Sequence, residues 1–147
     1  MDVNWLDDEE SRAWRAVATT SSRLLASLDS DLRANHQLHL ADYEVLVYLS
    51  EAPEQRLRMS DLADRLALSP SGLTRRLDRL TDSGAVVREQ CAKDRRGTFA
   101  VLTSAGLEIL VAAAPTHVAS VRRHLIDRLD RAELLALADT LGRIADR

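Results

Sequence analysis

Arg75, Arg76 and Arg79 fall within one short stretch of the chain, and Lys93, Arg95 and Arg96 cluster a little further on. Cationic side chains at this density either stay solvated as a charged face or bind phosphate. The net charge of −3 points away from a polyanion until it is divided by segment. Residues 56–98 carry ten basic and six acidic side chains, a local +4, while the remainder carries ten and seventeen, or −7. Attraction to phosphate depends on the charge at the contact face, so the middle of the chain is the candidate surface.

Other chemistries find little support. No phosphate loop, no Ser-His-Asp order with supporting context and no evident pair of acids indicates catalysis. His36 and His39 are three apart, His117 and His124 seven apart, and no Cys/His cluster has structural-zinc spacing, so neither metal nor cofactor is expected. The single cysteine, Cys91, cannot form an intramolecular disulfide, which fits a reducing compartment; beside Lys93 and Arg95 it also raises a redox-responsive alternative. No apolar run approaches the roughly 20 residues of a membrane span, and the acidic start (Asp7-Asp8-Glu9-Glu10) is unlike a signal peptide, so a cytoplasmic protein is expected.

The elements that position the arginines are mostly helical. Aromatics make up only 3% of the 147 residues, and Leu, Ala and Val dominate the apolar set. A first helix is expected over about 8–33, with Trp14, Val17, Leu24, Leu25, Leu28 and Leu32 on one stripe, and a second over about 41–50. Ser60 is expected to cap a third helix. A fourth has Ser69 as cap, Pro70 at its first position and Gly84 as its stop. Stepping 100° per residue places Leu73, Leu77 and Leu80 together and Arg75 opposite them, flanked by Ser71, Asp78 and Arg79. That outer face is small at its start and Arg-rich after it, a shape suited to a groove. Residues 86–90 and 98–102 read as two strands joined by a charged loop ending in Gly97. Thr103 caps a fifth helix running towards Asp127, with a kink or break expected near Ala114 because of Pro115. Asp130-Arg131-Ala132-Glu133 starts a sixth in capping-box fashion. The order helix, turn, helix, wing is that of a module which presents one helix to a DNA major groove.

The chain resembles the MarR family of bacterial winged-helix transcription factors. The likeness rests on Leu62-Ala63, Leu73-Thr74-Arg75, Leu80 followed by Gly84, Asp94-Arg95-Arg96-Gly97, Val101-Leu102-Thr103 and Gly106, in that order. It implies a mainly α fold: a winged helix-turn-helix lobe over 41–103 with a two-stranded wing, and a helical dimerisation region from 8–36 and 104–147. It also implies a homodimer bound to a double-stranded, pseudo-palindromic DNA operator, acting as a repressor and not an enzyme. The expected DNA-binding residues are Ser69, Ser71, Thr74, Arg75, Arg76, Arg79, Lys93, Asp94, Arg95 and Arg96. Within that set the resemblance gives Arg96 to the minor groove, Asp94 to orienting it, and Arg95 to phosphate. Release by a small, often aromatic or phenolic, ligand is implied too, with Trp14, Arg15, His36, His39 and Tyr43 as candidate contacts. Arg15 would pair with a ligand carboxylate while Trp14 or Tyr43 stacks on its ring. His39 departs from the Ser or Thr that commonly opens the second helix. The competing reading is a winged-helix protein-interaction module, for which a charged wing tip has no use.

Overall fold

The structure, a computed structural model, describes residues 3–91 and 94–145, with backbone alone for Cys91 and residues 94–96. Among the described residues, six α-helices and three strands follow in the order α1 (Asp8–His36), α2 (Leu40–Glu51), β1 (Arg56–Arg58), α3 (Met59–Arg65), α4 (Pro70–Asp82), β2 (Val86–Cys91), β3 (Asp94–Leu102), α5 (Ser104–His124) and α6 (Arg131–Ala145). Short 3-10 turns occupy Pro53–Gln55 and Ile126–Arg128. The strands form an antiparallel sheet in the order β1-β3-β2, so the expected two-stranded wing carries a third strand. In β1 only Leu57 is buried, while Arg56 and Arg58 point the other way; three residues with one apolar position give too little alternation to read from sequence.

Local chemistry explains where the helices start and stop. Asp7 and Glu10 form a reciprocal capping box at α1, and Asp130 and Glu133 do the same ahead of α6. In α4 the Ser69 hydroxyl accepts from the Gly72 N–H at 3.2 Å, with Pro70 at the first helical position. Gly84, at φ +74°, lets the Gly84 and Ala85 N–H groups turn back to the Thr81 and Leu80 carbonyls and end the helix. Ser60 does not cap α3: the helix begins at Met59, with Arg58, the last residue of β1, in the cap position, and the Ser60 hydroxyl lies on Asp61 instead. His39 occupies the cap position of α2 without a side-chain cap; Asp29 of α1 accepts from the Leu40 N–H at 2.9 Å in its place.

Pro115 does not break α5, which is helical from Ser104 to His124. Proline removes one N–H, the one that would bond the Val111 carbonyl. Val111 and Pro115 are both exposed, so water can satisfy that carbonyl. With the turn after it, α5 forms the one described stretch (Ser104–Arg128, mean hydropathy 1.3) long and apolar enough to cross a membrane, contrary to the sequence reading. Its Leu110, Ala113 and Ser120 pack into the fold, while 22% of the apolar window is buried in all.

The core lies where α2, α3, α4 and the sheet meet, and Leu46, Leu49, Leu62, Leu73, Leu77 and Val86 are all buried there. Polar ties join α1 to α5. The Ser120 hydroxyl donates to Asp31, which also accepts from Arg123 Nη2 at 2.5 Å and faces His124 Nε2 at 3.4 Å. Chiefly the Ser120 bond, and then Arg123, hold the Asp31 carboxyl below its ordinary value.

Candidate nucleic-acid interface

The buried side of α4 is Leu73, Leu77 and Leu80, and these three leucines set its depth on the lobe. Opposite them Ser71, Thr74 and Arg75 are exposed, and Arg76 is half-buried. Arg75 and Arg76 have no partner among the described residues, so both guanidinium groups are available to an incoming anion. The Ser69 and Ser71 hydroxyls lie 3.2 Å apart at the start of the helix, and the Thr74 hydroxyl donates to the Pro70 carbonyl at 2.9 Å. Small side chains at a helix N-terminus let backbone N–H groups approach phosphate closely.

Arg79 is differently placed. Its Nε donates to Asp42 Oδ2 at 3.2 Å and its Nη2 to Asp42 Oδ1 at 2.7 Å. On the other flank of α4, Arg88 of β2 donates from Nη2 to Asp78 Oδ1 at 2.9 Å and to the Thr74 carbonyl at 3.1 Å. On the sheet, Arg56 lies 4.3 Å and Arg58 5.4 Å from the centre of the Phe99 ring.

The wing hairpin is longer than the sequence suggested. Backbone pairing continues to Cys91 opposite Asp94, past an irregularity at Gln90 and Cys91, so residues 94–97 extend β3. Lys93 and the side chains of Cys91, Asp94, Arg95 and Arg96 lie outside the described residues, and with them the wing contacts and the redox alternative.

A family profile described as the MarR family matches residues 36–97. AbsC from Streptomyces coelicolor, a MarR family transcriptional regulator of known structure, is 45% identical, with a TM-score of 0.91 over 98% of this chain and 97% of that one. Sco3205, a MarR family regulator from the same organism solved in complex with DNA, is 36% identical, with a TM-score of 0.93 over 98% and 91%. The Bacillus subtilis HTH-type transcriptional regulator YkoM, itself uncharacterized, is 32% identical over 113 residues, 77% of this chain and 67% of its own length. The chain belongs to the MarR family. It is a winged-helix, DNA-binding transcriptional regulator and not an enzyme.

The five candidate ligand contacts of this MarR-family chain do not form one group. Trp14 and Arg15 are exposed on the early turns of α1. They stand about 33 Å from His36 along the helix axis, at 1.5 Å per residue. His36 Nε2 hydrogen-bonds with the Thr116 hydroxyl at 2.8 Å. His39 Nδ1 lies 3.5 Å from Asp29, on an open groove that Arg33 and Gln37 also line. Tyr43 alone of the five lines a partly open, mostly apolar cavity of about 200 Å³, with Leu25, Leu28, Leu40, Glu44, Val47, Tyr48 and His117.

Within the cavity the Tyr43 and His117 rings are 4.5 Å apart and tilted by 34°. Burial raises the Tyr43 hydroxyl above its ordinary pKa; burial lowers that of His117, partly countered by Glu44. His117 Nδ1 is buried with no hydrogen-bond partner among the described residues.

Sequence reasoning missed Asp42, Arg88 and His117. Asp42 was within reach, because it shares a helix face with Val45, Leu46 and Leu49, and an acid on an apolar face requires a cation. Arg88 and His117 carried no such signal, since their partners are distant in the chain.

Proposed function

We infer that this chain acts as a homodimeric repressor that binds a pseudo-palindromic operator and leaves it when a small molecule occupies the protein. The observation that carries the DNA reading is Arg75, exposed and unpaired on the face of α4 opposite its buried leucines, behind the small residues Ser69 and Ser71. Side chains in that position enter a major groove, with half-sites about one helical turn, on the order of 10 base pairs, apart. Ser69, Ser71, Thr74, Arg75 and Arg76 are the proposed contacts from α4, and Lys93, Asp94, Arg95 and Arg96 those of the wing.

Support for a second copy comes from the unburied ends of the chain. Helix α6 has no buried residue, and α1 has none before Leu28. Trp5, Trp14, Leu135 and Ile144 are exposed and apolar. The segments 8–36 and 104–147 are therefore the proposed dimerisation region, and 41–103 the DNA-binding lobe. The cavity at Tyr43 and His117 is the proposed effector site, since it lies between α1, α2 and α5 and is mostly apolar, with the Tyr43 and His117 rings on its wall. A cytoplasmic location follows from a DNA partner.

Footprinting on the intergenic DNA flanking its own gene tests the reading. A protected pseudo-palindrome, lost when a phenolic effector is added, is the expected result. A folded dimer that protects no sequence there or in a genomic pool overturns it.

A further inference from the structure

Arg79 belongs to the same basic cluster as Arg75, yet its surroundings give it a different task. The Asp42 side chain is only 7% exposed, on a helix whose other inward residues are apolar. A carboxylate in such a place must be matched, and the Arg79 guanidinium matches both oxygens at 2.7 and 3.2 Å. Apolar contact between the α4 leucines and the core is non-directional and permits the helix to turn or slide. A two-pronged fork is directional and permits neither. Arg88 adds a grip on the opposite flank through Asp78 and the Thr74 carbonyl.

We propose that Asp42 and Arg79 are a positioning pair that fixes the angle at which α4 presents Arg75 to DNA, and that Arg79 is not itself a phosphate or base contact. The proposal rests on the regulator reading above. It has a consequence opposite in sign to simple electrostatics. Asp42→Asn removes a negative charge from the lobe that approaches a polyanion, so charge alone says tighter binding. Loss of the fork says weaker binding.

The test uses the full-length chain and the duplex it enriches from a random-sequence pool. Affinity is titrated at several salt concentrations for Arg79→Ala, Arg79→Lys, Asp42→Asn and the Arg79→Ala/Asp42→Asn double variant. Each single variant is expected to bind about tenfold more weakly, and the double no worse than the poorer single, because both remove one shared interaction. The salt slope of Arg79→Ala should match wild type, whereas loss of a direct phosphate contact lowers it by about 0.9. Lysine keeps the charge without the fork, so Arg79→Lys should resemble Arg79→Ala. Undiminished or tighter binding by Asp42→Asn, or full rescue by Arg79→Lys, overturns the proposal.

Hydrogen exchange of the DNA-free proteins supplies an independent arm. The α4 amides should exchange faster in Arg79→Ala and Asp42→Asn while the sheet stays protected, and unchanged α4 protection overturns the pair. A wild-type chain that enriches no duplex refutes the regulator reading instead, and the exchange arm still judges the pair.

Discussion

At Gly106 the first turn of α5 touches the chain entering β2. A Cβ on Gly106 would lie 2.1 Å from the Ala85 carbonyl oxygen and 2.8 Å from Leu102 Cδ1. That oxygen is already fixed, accepting from the Thr103 N–H at 3.1 Å and from its hydroxyl at 3.0 Å. Backbone cannot yield as a side chain tip can, so Gly106→Ala is expected to cost about 3 kcal/mol, the upper part of the overpacking range. Urea unfolding measures it, and a loss below about 1 kcal/mol would mean the corner relaxes. His117 yields a pH prediction. Burial holds its pKa below the ordinary 6.5, so the unfolded chain takes up a proton in a range where the folded chain does not. Stability should therefore fall as pH drops from about 6.5 through the lowered folded value. Denaturant midpoints for wild type and His117→Phe across pH 5–8 check this; parallel curves would remove His117 as the cause.

The turn between α3 and α4 holds an expense of a different kind. Ala67 adopts φ +51°, while Ala67 and Leu68 donate back to the Asp64 and Ala63 carbonyls to close α3. A left-handed conformation costs a non-glycine residue about 1–2 kcal/mol, partly offset because alanine is stiffer than glycine in the unfolded chain. Ala67→Gly is expected to stabilise the lobe by about 0.5 kcal/mol, read as a higher denaturant midpoint at unchanged slope. A lower midpoint would show that the turn relies on the methyl group. No sequence pattern marked Ala67, because alanine rarely signals a turn. Where an element has its own chemical punctuation, the sequence was readable: Ser69-Pro70 and Gly84 bound α4 as expected, and Thr103 and Asp130 start α5 and α6. Where the determinant comes from elsewhere in the fold, it was not. Asp29 caps α2 from another helix, β1 exists only by pairing with β3, and Arg79, still half exposed, is tied to Asp42 through a contact 37 residues away. The same division separates the two candidate sites. Helical spacing alone put Arg75 opposite the leucines, but grouping Tyr43 with Trp14 ignored the length of α1 that separates them.

For the whole molecule, exposed area is the informative quantity. The chain exposes 10616 Å². A compact monomer of 16.3 kDa exposes about 7,500 Å², so about 3,000 Å² is in excess. An excess of that size is more than the roughly 1,000–2,500 Å² that one partner gives up in most obligate interfaces, so it leaves ample surface for one. Part of it lies in an apolar groove of about 280 Å³ lined by Val17, Leu24, Leu125, Leu137 and Leu141, joining α1 to α6. If a second copy covers this surface, thermal stability depends on protein concentration, because dissociation accompanies unfolding. Leu141, itself 43% exposed, is where to test that dependence. Leu141→Glu sets a charge against the groove without disturbing the core around α4. Sedimentation should then show monomer, and binding to a two-half-site operator should weaken by about 10²- to 10⁴-fold as joint engagement is lost. Binding to a duplex with a single half-site should change little, since α4 and its arginines are untouched. A variant that stays dimeric and binds the full operator as wild type does would place the interface elsewhere on the molecule. A monomer that keeps full operator affinity would mean the two lobes never act together, and the pseudo-palindrome would lose its reason.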